Sequence, residues 1–195
     1  MIAKQLERQM GGTPAAALAP AGASGAPSVR AGLTSKVGPR QAEFLKEHQS
    51  AARAAEAQSG IPATFMVAQA AHESGWGKHE IKNADGSASF NLFGIKAGAN
   101  WKGPVAEVTT TEYIDGVARR VVAKFRAYAS YADSFSDYAK MMKDSPRYAQ
   151  VVASAGSAQG FAQGLQRAGY ATDPAYADKL TRVINTTLRL QRSVA

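Results

Sequence analysis

One acidic residue stands where an apolar run gives way to glycines. The stretch QAAHESGWGKHE, residues 69–80, places Glu73 just before the glycines at positions 75 and 77. Glycine commonly ends a helix, so we expect Glu73 at a helix C-terminus, where the macrodipole disfavours an anion. The nearby ring of Trp76 would desolvate it further. Both effects favour a protonated carboxyl, as a general acid working near neutral pH requires. A surface glutamate at the helix end is the alternative interpretation.

The histidines that flank this glutamate have the wrong spacing for a zinc site. A zinc-binding H-E-x-x-H helix needs a second histidine four residues after His72, and that position is Trp76, with His79 three residues further on. The chain has no cysteine, which excludes thiolate catalysis and cysteine-ligated zinc. It also lacks the G-x-S-x-G pattern of serine hydrolases. We therefore predict carboxylate chemistry that requires neither a metal nor a cofactor.

A second carboxylate, Glu112, lies in the clearest β pattern of the chain. The residues around Asp115-Gly116 are rich in β-branched and aromatic side chains, and this dipeptide favours a type I′ hairpin turn. We expect strands over roughly 105–114 and 117–127. A hairpin can fold over a cleft, and two carboxylates suit glycoside hydrolysis: one protonates the leaving oxygen and the other steers water or a charged intermediate. A solvent-facing glutamate paired with an arginine of the second strand is the alternative.

The elements that must position these carboxylates are mostly helices. Periodic apolar residues and Gly or Pro boundaries predict an α+β, mainly α domain, with the hairpin inserted after the second helix. Residues 78–101 read as an irregular loop. The predicted helices cover 40–58, 61–74, a segment begun by a capping box at Ser134-x-x-Asp137, 146–154, a segment after Ser157, and a last one from Asp173-Pro174.

The composition limits the class of protein. The 195 residues suffice for one compact domain and a tail. The sequence contains no apolar run of about 18 residues, so we expect no membrane span. A net charge of +8 suggests an anionic partner, although a solvated basic surface explains it equally well. The basic residues are scattered and form no nucleic-acid-binding motif, so we do not expect a nucleic-acid partner.

Four segments carry a family resemblance: IPATFMVAQAAHESGWGK, FNLFGIKAG, AYASYADSFSDYAKMM and AGYATDPAYADKL. Together they resemble glycoside hydrolase family 73, the bacterial endo-β-N-acetylglucosaminidases of peptidoglycan, over about residues 40–190. The resemblance implies a lysozyme-like fold, in which a helical lobe and a hairpin lobe enclose a cleft for the glycan strand. It also implies cleavage of the β-1,4 bond between N-acetylglucosamine and N-acetylmuramic acid.

The resemblance implies roles for individual residues. Glu73 corresponds to the family's general acid, and Glu112 to a second carboxylate whose role, as base or as stabiliser of the charged centre, stays open. Asp137 and Tyr170 match positions associated with activity or substrate contact; a helix cap and a packing aromatic are the respective alternatives.

The remaining matched positions shape the site. Asn91, Phe93 and Gly94 match a loop that forms the cleft, and Trp76 is expected to pack beside the acid. The chain departs from the family at His72, where an apolar residue is usual. We expect His72 to be a tolerated polar side chain near the groove.

The N-terminal segments imply a flagellar member of this family. We expect 1–10 to be the remnant of a rod-assembly domain, 11–39 a flexible Gly/Ala/Pro linker and 40–195 the hydrolase domain. The resemblance implies a periplasmic protein, and the absence of an apolar signal-peptide core agrees with export by the flagellar apparatus. We expect a monomer, with rod proteins as partners of the missing domain. Two other functions stay open: a lytic transglycosylase, and a non-catalytic wall-binding or rod scaffold protein.

Overall fold

Six helices and one β-hairpin make up the part of the chain that the computed structural model describes, residues 38–114 and 117–194. This confirms the predicted α+β, mainly helical class. The predicted segment 1–10 and nearly all of the predicted linker 11–39 lie outside the described residues. In chain order the elements are α1 (Pro39–Ser59), α2 (Ala63–Ser74), β1 (Val105–Ile114), β2 (Val117–Arg126), α3 (Tyr131–Asp144), a 3-10 turn (Pro146–Tyr148), α4 (Ala149–Ala153), α5 (Ala158–Arg167) and α6 (Tyr176–Val194).

Helix α2 is the central element of the fold. Every residue of it except His72 is buried, and it packs against α1 on one side and α6 on the other. Four of its twelve residues are alanines, small enough for neighbouring helices to approach closely. Helix α2 ends at Gly75, which adopts a left-handed conformation with φ of 60° and donates its N–H to the carbonyl of Ala71. Because α2 is buried, any polar side chain on it must find a partner inside the protein.

The hairpin covers a second, smaller hydrophobic cluster. Strands β1 and β2 pair antiparallel, with Ala106 opposite Phe125 and Val108 opposite Ala123. These side chains pack with Ile81 beneath the sheet. The predicted strand bounds are confirmed to within one residue, whereas the predicted turn at Asp115-Gly116 lies outside the described residues.

The start of helix α3 corrects one prediction. The N-cap is Ser130, whose Oγ accepts a hydrogen bond from the backbone N–H of Asp133 at 3.2 Å. The predicted capping box at Ser134-x-x-Asp137 is therefore wrong: Ser134 is buried inside the helix and its hydroxyl has no hydrogen-bond partner. Both serine–aspartate pairs have the same spacing, and the earlier one becomes the cap because Tyr131 and Phe135 both pack as helical residues around His48.

The last helix starts slightly later than expected. Asp173 accepts hydrogen bonds from the N–H groups of Ala175, through Oδ1 at 2.9 Å, and of Tyr176, through its carbonyl at 3.1 Å. The helix proper begins at Tyr176, so the tyrosine ring lies in its first turn and points into the core. None of the helices in the described ranges is both long enough and apolar enough to span a membrane.

Candidate active site

Glu73 lies in the last turn of α2 and is 6% exposed. The chain leaves the helix through a tight turn that Ser74 holds: its Oγ donates to the carbonyl of Ala70 at 2.7 Å and accepts the N–H of Gly77 at 3.0 Å. The predicted position at a helix C-terminus is thus confirmed. A carboxyl here has little contact with water and lies at the negative end of the helix dipole, and both conditions disfavour its charged form.

A directed chain of buried hydrogen bonds leads to this carboxyl. The Tyr138 hydroxyl donates to Gln69 Oε1, Gln69 Nε2 donates to the Tyr176 hydroxyl at 3.3 Å, and Tyr176 donates to Glu73 Oε1 at 3.0 Å. Each of the three donors has an acceptor, and none of the three residues is exposed to solvent. This series of hydrogen bonds fixes the position of Glu73 Oε1, because a shift of that oxygen would leave buried donors unsatisfied.

The tyrosines of this chain stay protonated at any pH relevant to activity. Burial, and then the charge of Glu73, raise the pKa of the Tyr176 hydroxyl well above its ordinary value. Burial likewise raises the pKa of Tyr138. Both side chains are therefore permanent hydrogen-bond donors, and neither acts as a base.

The loop that precedes the hairpin is anchored by Asn91. The Asn91 side chain donates to the carbonyls of Ile95 at 2.9 Å and Arg126 at 2.8 Å, and its Oδ1 accepts the N–H of Ile95 at 3.0 Å. It therefore closes its own loop and ties that loop to the end of β2. Gly94, inside the loop, has a φ of 63°, which a residue with a side chain rarely adopts.

Tyr170 and Phe93 join this loop to the helical body. The buried Tyr170 hydroxyl donates to the Phe93 carbonyl at 2.9 Å, and the Phe93 ring stacks on Tyr138 with centroids 4.1 Å apart. The Tyr170 ring lies 6.3 Å from that of Tyr176. Tyr170 therefore packs, as the alternative interpretation expected, and it also lines a cleft of about 470 Å³ beside the hairpin.

Asp137 connects α3 to the hairpin. Its Oδ2 accepts hydrogen bonds from Arg126 Nη1 and from the Tyr128 hydroxyl, both at 2.7 Å. The Arg126 guanidinium also lies 4.7 Å from the centre of the Trp101 ring. Asp137 is therefore not a helix cap, and it holds the arginine at the wall of the cleft, which is lined in part by Arg126, Tyr170, Lys96 and Arg147.

The other predicted site residues lie as follows. Glu112 is on β1, where its Cα pairs with that of Arg119, and its side chain lies outside what the structure describes. Trp76 is half-buried, and its ring packs edge-to-face on Phe44 of α1 with centroids 5.8 Å apart. The His72 ring lies 5.3 Å from that of Tyr176, so the one departure from the family pattern contacts the tyrosine that binds Glu73.

The structure adds residues that sequence reasoning missed. Gln69 lies four positions before Glu73, and this helical spacing was a readable signal. Tyr176 and Tyr138 carried no such signal, because they come from distant helices. Within residues 38–114 and 117–194, no three His, Cys, Asp or Glu side chains are grouped so that they could hold a metal ion.

Comparison with known proteins gives consistent matches. The model of the glucosaminidase family, described as mannosyl-glycoprotein endo-β-N-acetylglucosaminidase, matches residues 49–189. Peptidoglycan hydrolase FlgJ of Escherichia coli K12 is 54% identical over 141 residues, which are 72% of this chain and 45% of that protein. The chain thus spans about half the length of the curated relatives it matches.

Solved structures of related proteins share the overall fold of this chain. A peptidoglycan hydrolase mutant from Sphingomonas sp. A1 superposes with a TM-score of 0.70 at 48% identity, covering 78% of this chain and 99% of that one. A C-terminally truncated glycoside hydrolase domain of Salmonella typhimurium FlgJ gives a TM-score of 0.66 at 50% identity, covering 76% of this chain and 98% of that one. These matches confirm the predicted lysozyme-like fold.

Proposed function

The chain belongs to the endo-β-N-acetylglucosaminidase family, and we propose that it hydrolyses β-1,4 glycosidic bonds in peptidoglycan glycan strands. The relatives from Escherichia coli and Sphingomonas are both named peptidoglycan hydrolases, which supports cell-wall glycan as the substrate. The bond we assign is the one between N-acetylglucosamine and N-acetylmuramic acid.

The observation that carries this proposal is the setting of Glu73. Its carboxyl is buried at the C-terminus of α2 and accepts the Tyr176 hydroxyl hydrogen at 3.0 Å. Burial and the helix dipole favour a protonated acid, and the hydrogen bond holds that acid in one orientation. We assign Glu73 as the general acid, which protonates the glycosidic oxygen as an oxocarbenium-like centre develops on the sugar.

Glu112 is the carboxylate that we assign to the second role. Supporting this, position 112 belongs to the same alternate row of β1 as Ala106 and Val108, whose side chains lie on the side of the small hydrophobic cluster. Glu112 acts as base toward water or stabilises the positive centre; attack by the 2-acetamido group of the substrate is the third route. The anomeric form of the first product distinguishes inversion from the two retaining routes.

The cleft beside Tyr170 is the part of the groove that we assign to the glycan strand. Its volume of about 470 Å³ falls within the usual range for small-molecule sites. The loop anchored by Asn91 forms one wall, and the arginine held by Asp137 forms another. We assign Phe93, Gly94 and Tyr170 supporting roles in shaping the groove, and no proton transfer.

The decisive experiment is digestion of purified peptidoglycan by the wild type, Glu73→Gln and Glu112→Gln, with mass spectrometry of the released muropeptides. We expect no release by Glu73→Gln and a large loss for Glu112→Gln. The matched control is Glu80→Gln, since Glu80 also accepts a tyrosine hydrogen bond, from Tyr131 at 2.9 Å. This control should cleave at the wild-type rate.

The products distinguish the competing functions. Reducing N-acetylglucosamine ends support the proposal, whereas anhydromuramic ends would identify a lytic transglycosylase. Binding of peptidoglycan without release of fragments by the wild type would identify a wall-binding or scaffold protein. Undiminished release by Glu73→Gln would overturn the assignment of the acid under either enzymatic function.

We further propose that the enzyme opens the cell wall locally in the periplasm during flagellar rod assembly. The name that the curated relatives share supports this role. The periplasmic location is supported because a peptidoglycan hydrolase must act where its substrate lies. Rod proteins are the partners expected for the segment before the hydrolase domain. In cells whose own hydrolase domain is deleted, the wild-type chain fused in its place should restore swimming, and Glu73→Gln should not.

A further inference from the structure

We propose that the cleft beside Tyr170 contains an anion subsite, formed by Lys96, Arg126 and Arg147, that binds a carboxylate of the peptide stem attached to the glycan. This inference rests on the proposed function, because it takes peptidoglycan as the molecule in the cleft. These three residues would recognise the peptide stem, in addition to the recognition of the sugar chain by the rest of the cleft.

The charge of the cleft favours an anion. Three cationic side chains line it, and none of the described residues that line it is acidic. Asp137 lies behind the wall and is paired with Arg126, so it offsets one of the three charges and two remain. The sugars of the glycan backbone are uncharged, whereas the stems carry free carboxylates, so the stem is the part of the substrate that this charge attracts.

Arg147 is held in a fixed orientation. Its Nε donates to the Ala168 carbonyl and its Nη2 to the Gly169 carbonyl, both at 2.6 Å, at the C-terminal end of α5. The guanidinium lies 5.2 Å from the centre of the Tyr148 ring. A guanidinium has five N–H donors, and these two contacts leave others for a ligand. A pre-oriented arginine suits a planar carboxylate, because little side-chain entropy is lost on binding.

Arg126, which also lines the cleft, is held by contacts of its own. Asp137 binds its Nη1, the Trp101 ring lies against the guanidinium, and its buried Nε has no hydrogen-bond partner in the protein. A buried donor without a partner is costly unless a ligand or water satisfies it. Lys96 also lines the cleft, is partly exposed, and supplies a further positive charge.

The subsite is close to the proposed acid. Tyr170 lines the cleft, and its ring lies 6.3 Å from the ring of Tyr176, which donates to Glu73. Two neighbouring tyrosines therefore link the lining of the cleft to the carboxyl. We therefore assign to this subsite the stem on a muramic acid residue next to the bond being cleaved.

The test compares two substrates of equal chain length: glycan strands that keep their stems, and stripped strands, from which an amidase has removed the stems and on which the lactyl carboxylates so exposed have been converted to amides. We choose Lys96→Gln as the variant, because Lys96, unlike Arg147, makes no hydrogen bond to the helix ends. On stem-bearing strands we expect KM to rise about tenfold, the equivalent of about 1.4 kcal/mol, with kcat unchanged. On stripped strands we expect KM to change less than about twofold. The matched control is Lys46→Gln on α1, outside the cleft, which should match the wild type on both.

A binding measurement separates this inference from the proposed function. Calorimetry with inactive Glu73→Gln should show a disaccharide that carries a tetrapeptide binding about tenfold more tightly than the bare disaccharide with its lactyl carboxyl amidated, and adding Lys96→Gln should remove the difference. If the wild type cleaves neither strand, the hydrolase proposal fails, and this binding result alone decides the subsite. Equal affinity for the two disaccharides, or an equal loss on both strands, overturns the subsite while hydrolysis stands.

Discussion

Tyr176 donates its hydroxyl hydrogen to Glu73 Oε1 at 3.0 Å, and the two residues lie 103 positions apart in the sequence. The bond joins the first turn of the last helix to the last turn of the central one. It is the final link of the chain through Tyr138 and Gln69. The proposed acid therefore depends on the packing of three helices for its orientation.

Replacing Tyr176 with phenylalanine should reduce kcat about 10- to 100-fold, because a misplaced catalytic group costs rates of this order. KM should change little. Removal of a donor also disfavours the ionised carboxylate, so the alkaline limb of the kcat profile should move to higher pH. The pH profile on defined glycan strands measures both effects.

The control for this variant is Tyr131→Phe. Tyr131 also donates to a glutamate, Glu80, at 2.9 Å, so this change removes the same kind of bond at a site that the proposed reaction does not use. It should leave the pH profile in place. A Tyr176→Phe enzyme with the wild-type profile would show that the bond has only a structural role.

Neutralising Asp137 should lower stability more than neutralising an exposed acid on the same helix. Asp137→Asn removes the charge that faces Arg126, and both side chains are only about one-fifth exposed. We expect a loss of about 1–3 kcal/mol, since a poorly solvated arginine loses its counter-ion. Asp144→Asn breaks the exposed pair with Lys140 and should cost much less, because water screens that pair. Urea unfolding of both variants measures the difference, and equal losses would contradict the structural role of Asp137.

His48 should make the protein less stable as the pH falls. Burial among the rings of Phe44 and Tyr131 lowers its pKa from 6.5 to about 4. The unfolded chain therefore binds a proton at a higher pH than the folded chain does, so this contribution is intact above pH 6.5 and is lost as pH falls towards 4. Between pH 7 and pH 5 we expect a loss of about 2 kcal/mol from this residue.

The loss of stability due to His48 must be measured as a difference between variants, because other groups also titrate between pH 7 and pH 5. Two acids face His48 or its ring partners: Glu47, whose carboxylate is 3.9 Å from Nε2, and Glu80, whose pKa burial raises, so that it acts in the opposite direction. Urea unfolding at pH 7 and pH 5 measures this loss. His48→Leu should not lose this stability at pH 5, whereas His79→Leu, at an exposed site, should lose as much as the wild type. If His48→Leu lost as much stability between pH 7 and pH 5 as the wild type does, His48 would not be the cause of that loss.

Ser134→Ala should stabilise the protein. The Ser134 hydroxyl is fully buried in α3 and has no hydrogen-bond partner, so its removal should gain about 1 kcal/mol, helped by the higher helix propensity of alanine. Ser136→Ala is the control on the same helix: it gains the same propensity but loses a hydrogen bond to Gln58. Thermal unfolding should rank Ser134→Ala above both the wild type and Ser136→Ala, and a lower midpoint would reveal a hidden partner of the hydroxyl.

Local patterns predicted the main elements and the position of Glu73. A helix that ends at Gly75 and a hairpin whose strands run close to the predicted bounds depend on residues near each other in sequence. Backbone preferences and alternation operate over a few residues, so they can be read directly. The same locality misled at α3, where two serine–aspartate pairs were equally good caps and the packing of the helix chose Ser130.

The sequence by itself determined the family, the mainly helical fold with one hairpin, and a single acid at the end of a buried helix. Only the tertiary structure decided what surrounds that acid: Tyr176 at its oxygen, Asp137 bound to Arg126, and three cations from separate segments on one cleft. Each of these residues is unremarkable in its own stretch of chain. Their chemistry depends on distances between helices and loops, which are set by the close packing of the whole core and by no local pattern.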